Sequence, residues 1–228
     1  MTWNEYLYLF WKKHGGTLFA TEDQEWNGIL LLEKEKGTIL IHAEETGTSR
    51  SGISFHHIVV STQVRLERPY RLQITPANLM WNGLNQVLGG LQQGAKRLGL
   101  PSQFYYDYQT PKNLGNRRIT TSDPTFTKWV LQSEQFCSML KGKEKWGVRV
   151  GAIGKGDRMH TVSVYDSEEN YGLDDFEPLL KHGETLEAVM SYYEQKGFDV
   201  ALNQLIAFVK EASASVTAWP MPTISPNQ

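Results

Sequence analysis

The fold is decided by residues 116–166, which read NRRITTSDPTFTKWVLQSEQFCSMLKGKEKWGVRVGAIGKGDRMHTVSVYD. The first part of this stretch predicts two consecutive helices. Asp123 is a capping residue placed before Pro124, which suits the first helical turn, and Ser133 offers a second cap. Apolar residues then recur at helical spacing from Phe126 to Leu140. Two short helices, one after each cap, are therefore expected.

The second part of the stretch changes from a helical period to a period of two. Apolar residues alternate with small or charged ones from Trp146 to Ala152 and again from His160 to Val164. The glycine-rich segment 154–157 lies between these runs and predicts a hairpin turn. The helices and the hairpin each have an apolar side, so we expect the two helices to lie on one face of the hairpin.

Strand signals also fill the chain upstream, where five runs rich in β-branched, aliphatic and aromatic residues predict a meander. These runs are Thr17–Thr21, Gly28–Glu33, Thr38–Glu44, Ile53–Arg65 and Tyr70–Thr75. A further strand is expected within Phe104–Gln109, which is rich in tyrosine.

Four more helices are expected outside the opening stretch. The first begins with the capping-box spacing of Thr2 and Glu5 and carries a broad aromatic stripe. The second spans 76–98, the third spans 184–196, and the last is capped by Asp199.

Together these patterns predict an α+β fold with a mainly antiparallel sheet, a meander plus a later hairpin, covered by helices. A single globular domain is expected over 1–212, with two related α/β lobes, 1–100 and 101–212, as a possible internal division that shares the sheet. Residues 213–228 are small, polar and rich in proline, which predicts an extended or disordered tail.

Composition and charge exclude several classes of protein. The chain of 228 residues has a net charge of −2, which argues against a general nucleic-acid binder. Its longest aliphatic run, Ile29–Leu32, is too short to span a membrane, and an acid near the first residue argues against a secretion signal. The one cysteine, Cys137, falls on an apolar helix face and suggests a reducing compartment. A cytoplasmic protein without a membrane or nucleic-acid partner is expected.

Motifs that carry chemistry are not found. The glycines of 151–156 lack the spacing of a phosphate-binding loop, and a hairpin turn explains them better. His56 and His57 are adjacent on a strand and should point to opposite faces, although one of them could meet His42 and an acid such as Glu44 across strands. We expect no metal site and no cofactor, because a catalytic zinc site needs three converging protein ligands.

Two classes of function stay open, and the sequence does not decide whether the chain is an enzyme. The first is a non-catalytic interaction or self-association module whose partner is a protein or a second copy, so that a homo-oligomer is expected. The second is an enzyme or small-ligand-binding protein with a polar pocket between sheet and helices. The candidate ligand-binding residues for the second class are Tyr106, Tyr108, Arg117, Arg118, His56, His57 and His160.

The interaction module rests on aromatic residues and on charge. The candidate interaction residues are Trp3, Phe10, Trp11 and Trp219. Trp219 lies in the proline-rich tail, where an aromatic residue predicts an anchor for a groove. Basic residues are in excess between 112 and 158 and acidic residues between 166 and 187, so these two segments are expected to attract each other.

Overall fold

A computed structural model describes residues 2–21, 26–34, 37–48, 54–66, 69–76, 106–153, 158–166 and 198–218. The strands of this part are β1 Thr17–Phe19, β2 Ile29–Lys34, β3 Gly37–Thr48, β4 Ser54–Arg65, β5 Leu72–Pro76, β6 Tyr106–Tyr108, β7 Arg117–Thr121, β8 Trp146–Ala152 and β9 Met159–Asp166. The helices are α1 Trp3–His14, α2 Pro124–Gln132, α3 Glu134–Leu140 and α4 Phe198–Ala218, with a short 3-10 turn at Lys112–Leu114.

The nine strands form one antiparallel sheet in the order β1-β2-β3-β4-β9-β8-β5-β7-β6. The predicted α+β class, with an antiparallel sheet and helices, is therefore confirmed. The order differs from a meander of five strands, because β5 does not lie beside β4. The hairpin of β8 and β9 is inserted between them, and only the nonlocal pairing of whole strands determines that position.

The inserted hairpin has the strands that its alternation predicts. Val148 lies opposite Val164 and Val150 lies opposite Val162, and all four side chains are buried. Trp146, at the start of β8, packs edge-to-face against Phe208 of α4, with ring centroids 5.2 Å apart. The predicted turn at 154–157 lies outside the described residues.

The starts of α1, α2 and α3 also follow their local signals, whereas α4 begins at Phe198, one residue before the cap predicted at Asp199. The side chain of Asp123 accepts a hydrogen bond of 2.9 Å from the backbone N–H three residues on, and Ser133 does the same at 3.3 Å. Thr2 and Glu5 form the predicted capping box, with bonds of 3.2 and 2.8 Å. These three caps satisfy backbone N–H groups that the helices themselves leave without partners.

The hydrophobic core lies on one face of the sheet, here called the core face. Side chains of β2, β3, β4, β5, β7, β8 and β9 point into it, and residues of all four described helices pack against them. Its largest fully buried members are Trp3, Tyr70, Phe126, Phe136, Leu7, Leu30, Ile41, Ile74, Leu114, Ile119 and Leu140. Within the described ranges, no helix is both long and apolar enough to cross a membrane.

The opposite side of the sheet is called the second face. Its residues alternate with the core residues along each strand, so that Val59 and Tyr165 are buried there but do not belong to the core cluster. Polar residues dominate its centre. The polar side chains on this face are therefore the ones whose positions are not explained by packing in the hydrophobic core.

Several predicted segments lie outside the described residues: positions 77–98 of the second predicted helix, the helix 184–196, most of the acidic segment, and the tail from Trp219 onward. Pro76, where that second helix is expected to begin, instead ends β5. Helix α4 continues to Ala218, past residue 213 where the sequence predicts the tail to begin. Ala212 and Ser215 are both buried, so this end of the helix still packs against the body of the protein.

Candidate functional site

A polar cluster occupies the centre of the second face and is formed by five residues. His42 and Glu44 come from β3, His57 from β4, Arg149 from β8 and Tyr165 from β9. Each lies at a position that alternates with a core residue, so the pattern that buries the core face also directs these five side chains to the other side.

Glu44 is the centre of the cluster. Its Oε1 lies 3.3 Å from His42 Nε2, and its Oε2 lies 2.6 Å from Arg149 Nη2 and 3.4 Å from His57 Nε2. Glu44 and His57 are directly opposite each other in the β3–β4 register, whereas Arg149 reaches the carboxylate from the far side of β9 and β4. The ion pair therefore ties together strands that are not neighbours in the sheet.

Tyr165 forms the floor of the cluster. The guanidinium carbon of Arg149 lies 4.7 Å from the centre of the tyrosine ring, and the His57 ring stacks on it at 4.9 Å with an interplanar angle of 18°. The tyrosine hydroxyl bonds to the side chains of Thr75 and Gln73 on β5. The ring thus orients both the arginine and the histidine from below.

Gly147 allows Tyr165 to lie in this position. The two residues are opposite each other in the β8–β9 register. A Cβ placed on Gly147 would lie 2.1 Å from the Cζ atom of the tyrosine ring, so the ring occupies the space that any side chain at this position would need. Only glycine lets the tyrosine cross β8 towards β5.

The electrostatics of the cluster keep Glu44 ionised. Burial by itself would raise the pKa of the Glu44 carboxyl, but hydrogen bonds from the two histidines, together with the bond and charge of Arg149, hold that pKa well below its usual range. Burial raises the pKa of the Tyr165 hydroxyl, so this group stays neutral at physiological pH. The Glu44 and Arg149 charges cancel each other.

The sequence predicts that His42 and one of the adjacent histidines could meet Glu44 across strands. His42, Glu44 and His57 do come together, across β3 and β4. The cation that they surround is the guanidinium of Arg149, which lies 3.3 Å from His57 Nε2 as well as on the carboxylate. In the described part of the chain, no three His, Cys, Asp or Glu residues are arranged to hold a metal ion.

Of the seven predicted ligand-binding residues, His57 lies in the cluster and His160 lies on the core face. His160 is fully buried, and its Nε2 accepts a 2.9 Å hydrogen bond from the Tyr70 backbone N–H. Its Nδ1 donates to the Arg158 carbonyl at 2.8 Å. Nε2 therefore connects β9 to the segment before β5, and Nδ1 makes a local bond next to the start of β9, so the role of His160 is structural.

Arg117 and Arg118 are adjacent but lie in opposite environments. Arg117 is buried and donates hydrogen bonds to the carbonyls of Leu114, Leu140 and Lys143. Burial lowers the pKa of its guanidinium, with an opposing effect of Glu144. Arg118 is exposed and pairs with Asp107 at 3.0 Å. Neither arginine lies in the polar cluster.

The remaining predicted ligand-binding residues, His56, Tyr106 and Tyr108, also lie outside the polar cluster and in separate parts of the sheet. His56 stacks on Trp26 with ring centroids 4.0 Å apart, on the opposite side of β4 from His57. Burial lowers the pKa of His56, although Glu45 acts in the other direction. Tyr106 and Tyr108 lie on β6 at the far edge of the sheet, and Tyr108 packs against the core.

The predicted interaction residues of α1 are mostly used inside the fold. Trp3 and Phe10 are buried in the core, with exposed fractions of 1% and 3%. Trp11 is half-buried, and its indole N–H donates to the Gly16 carbonyl at 3.0 Å. Trp219 lies outside the described residues.

Arg149 and Tyr165 are the two members of the cluster that sequence reasoning does not single out. A charged residue between Gly147 and Gly151 on one strand face is the signal that could have found the arginine, because glycines leave a long side chain room to lie across the sheet. The partner of that arginine lies on β3, more than 100 residues earlier in the chain.

No protein-family model, curated protein or solved structure matches this chain.

Proposed function

We propose that the chain is a non-catalytic binding protein that self-associates through the second face of its sheet. The observation that carries the proposal is an apolar patch at the β1 edge of that face. Phe19 and Ile29 are directly opposite each other on β1 and β2, and their exposed fractions are 55% and 38%. Large apolar side chains side by side on a sheet surface favour a binding surface.

The patch continues inward and meets the polar cluster. Leu31 and Leu40 are opposite each other on β2 and β3 and are half-buried, and Ile29 lies opposite His42. We call Phe19, Ile29, Leu31 and Leu40 the β1 patch. The second face therefore has an apolar region with a polar region beside it, a combination typical of protein interfaces.

The state of Glu44 favours binding over catalysis. A general acid or base works best when its pKa is close to the operating pH, and the Glu44 pKa is held far below that range. The carboxylate is already bonded to Arg149 and the two histidines, so its oxygens are engaged inside the protein. These bonds hold the Glu44 carboxylate in place, as in a structural hydrogen-bond network, and leave it poorly suited to exchange protons with a substrate.

The charges of the second face support a second copy as the partner. About a third of each of the Glu44 and Arg149 side chains is exposed, so both signs of charge are present beside the β1 patch. A two-fold dimer brings the same surface of each copy together. A face that carries paired charges and an apolar patch can meet its own copy without like-charge repulsion.

Sedimentation velocity tests this proposal. We expect the wild-type chain to form a dimer, and Phe19→Lys to shift it to monomer because a charge in an apolar contact is desolvated without a partner. The matched control is Trp129→Lys, since Trp129 is 47% exposed but lies on α2. This control should sediment as the wild type. A wild-type chain that stays monomeric, or a Phe19→Lys chain that stays dimeric, would contradict the proposal.

A further inference from the structure

Asn27 and Gly28 form an Asn-Gly pair immediately before β2, which begins at Ile29. Such a pair can modify itself without an enzyme. The backbone nitrogen of the glycine attacks the side-chain carbonyl carbon of the asparagine, and the missing Cβ of glycine leaves this approach unobstructed. A cyclic imide forms as ammonia leaves, and water then opens the imide to give aspartate or isoaspartate. The asparagine is thereby deamidated.

This reaction makes two demands on the pair. The Gly28 N–H must give up its proton to base from solvent, because only the deprotonated nitrogen attacks Asn27 Cγ. The Asn27 side chain must also turn so that Cγ faces that nitrogen. The new bond joins the Gly28 nitrogen to Cγ, while the bond from Cγ to Nδ2 breaks and ammonia leaves with a proton from water. Oxidation states do not change, so water is sufficient as the co-reactant.

The first demand is blocked by Asn4, which lies in the first turn of α1. Its Oδ1 accepts a 2.6 Å hydrogen bond from the Gly28 N–H, and Gly28 itself is buried. A Cβ placed on Gly28 would lie 2.6 Å from the same oxygen, so the Asn4 amide fits closely against the glycine. Base from solvent can therefore reach the Gly28 proton only when this contact opens.

The second demand is blocked by the bonds that hold the Asn27 amide. Its Oδ1 accepts from Asn4 Nδ2 at 2.9 Å and from the Thr21 backbone N–H at 3.3 Å, and its Nδ2 donates to Thr21 Oγ1. Asn4 Nδ2 also donates to the Thr21 carbonyl at 3.2 Å. Asn4 is therefore bonded to both reacting groups and connects them to α1.

We propose that Asn27 is a site of spontaneous deamidation that the fold keeps inactive, and that Asn4 is the residue that keeps it so. Aspartate or isoaspartate forms at position 27 only when the first turn of α1 opens. An opening that is itself reversible thus leaves a permanent chemical change. The reaction takes place within one chain, so this inference goes beyond self-association and does not depend on it.

The isoaspartate product would change the way in which α1 packs on the sheet. It adds a methylene group to the main chain just before Gly28, whose carbonyl accepts a buried 2.9 Å hydrogen bond from the Trp3 indole N–H. Ile29, the next residue, lies opposite Phe19 on β1 and His42 on β3. A longer main chain at this point would break the indole bond or displace Ile29, and either change would weaken the contact between α1 and β2.

The rate of deamidation in the wild-type chain tests the inference. It is measured at mildly alkaline pH in the folded protein and in the protein denatured with guanidinium chloride. Mass spectrometry of peptides follows the conversion of Asn27 in both samples. We expect the folded chain to react at least about tenfold more slowly, because the contact with Asn4 must open first. Equal rates in the two samples would overturn the inference.

Hydrogen exchange at the Gly28 amide makes this test quantitative. Exchange and deamidation both require base to remove the same proton, so the same opening controls both. Relative to the denatured chain, the fold should slow deamidation by at least the factor by which it slows exchange of this amide, because deamidation also requires the Asn27 side chain to turn. Deamidation that is slowed less than exchange would contradict the proposed blockage.

Two substitutions assign the protection to Asn4. Asn4→Ala removes the bonds to both reacting groups and should speed deamidation of the folded chain by about tenfold. Thr2→Ala is the matched control, because it removes the cap of the same helical turn but leaves the bond to Gly28 in place, and it should speed deamidation much less. Equal acceleration by the two substitutions would overturn the role of Asn4. If Asn4→Ala does not fold, the two wild-type measurements still decide.

Discussion

Gly147 determines the geometry of the polar cluster at the scale of a single residue, because the Tyr165 ring lies where its side chain would be. A Cβ at this position would come within 2.4 Å of the tyrosine oxygen as well as 2.1 Å of Cζ. The conflict is steric, since Gly147 is not among the glycines with positive φ. The ring, and with it the contacts to Arg149 and His57, would have to move.

We predict that Gly147→Ala lowers the free energy of unfolding by about 2 kcal/mol, as expected for overpacking at a buried site. The matched control is Gly151→Ala on the same strand and the same face, where a Cβ would meet no atom within 4 Å. That substitution should be neutral or slightly stabilising. Urea denaturation of the two variants checks this, and equal stabilities would show that the ring can move without cost.

The pH dependence of stability reports on Glu44. Its pKa is lower in the folded protein than in the unfolded chain, so its contribution is present above the unfolded pKa of about 4.3 and is lost as the pH falls below that value. We predict that the stability difference between wild type and Glu44→Gln shrinks as the pH falls from 6 to about 3. The effect should be modest, because the side chain is 36% exposed and solvent screens it.

Thermal unfolding across this pH range provides the measurement. The control is Asp107→Asn, which removes an exposed carboxylate paired with Arg118 and should have little effect on stability. A Glu44→Gln chain whose stability relative to wild type stays constant down to pH 3 would show that the carboxylate is not stabilised in the fold.

Sequence reasoning reaches only part of the cluster at this scale. Alternation along β4 places His57 and His56 on opposite faces, and the spacing of His42 and Glu44 puts both on one face of β3. Both rules depend only on neighbouring residues in the sequence. They do not predict the contact between Arg149 and Glu44, because that contact depends on the position of β8 in the sheet, three strands from β3.

At the scale of the element, Arg117 connects a strand to the end of a helix. Leu140 is the last residue of α3, and its carbonyl has no partner within the helix. The Arg117 guanidinium donates to this carbonyl at 3.1 Å and also to the carbonyls of Leu114 and Lys143. One buried side chain on β7 therefore joins three backbone carbonyls. Two of them, those of Leu140 and Lys143, also accept the backbone N–H groups of Lys143 and Trp146.

We predict that Arg117→Met destabilises the protein by about 2 kcal/mol, because the Leu114 carbonyl would lose its side-chain donor and the other two carbonyls would keep only their backbone donors. The matched control is the neighbouring Arg118→Met, which breaks only an exposed ion pair and should cost less than about 1 kcal/mol. Chemical denaturation of both variants distinguishes them. A small effect of Arg117→Met would mean that water replaces the guanidinium.

The elements themselves are well predicted where their signals are local. The caps at Thr2, Asp123 and Ser133 each depend on residues within three positions, and all three hydrogen bonds are present. The end of α4 is less predictable. Its last turns contain serine, threonine and alanine, which resemble a polar tail until the burial of Ala212 and Ser215 shows that tertiary packing extends the helix.

At the scale of the whole molecule, the hairpin of β8 and β9 joins two groups of strands. β1 to β4 lie on one side of it and β5, β7 and β6 on the other. Sequence patterns specify each strand but not this order, because insertion of the hairpin depends on contacts between residues as distant as Val60 and Val164. The core cluster is continuous across the hairpin and includes residues from both groups.

We predict that the described sheet unfolds as one unit, despite the two lobes that the sequence suggests. Native-state hydrogen exchange should show the slowest amides in β4, β9 and β8, and the fastest in the edge strands β1 and β6. Val164→Ala, at a fully buried position of β9, should lower the protection of slow amides on both sides of the hairpin equally, by about 2 kcal/mol.

Leu18→Ala provides the contrast, because Leu18 is only partly buried on the edge strand β1. Its effect should be smaller and greatest near that edge, since an edge strand can open without unfolding the centre. If β3 and β7 instead lose protection at different urea concentrations, the two strand groups unfold independently. The hairpin would then be a boundary between two lobes, and the continuous core that crosses it would not be enough to couple them.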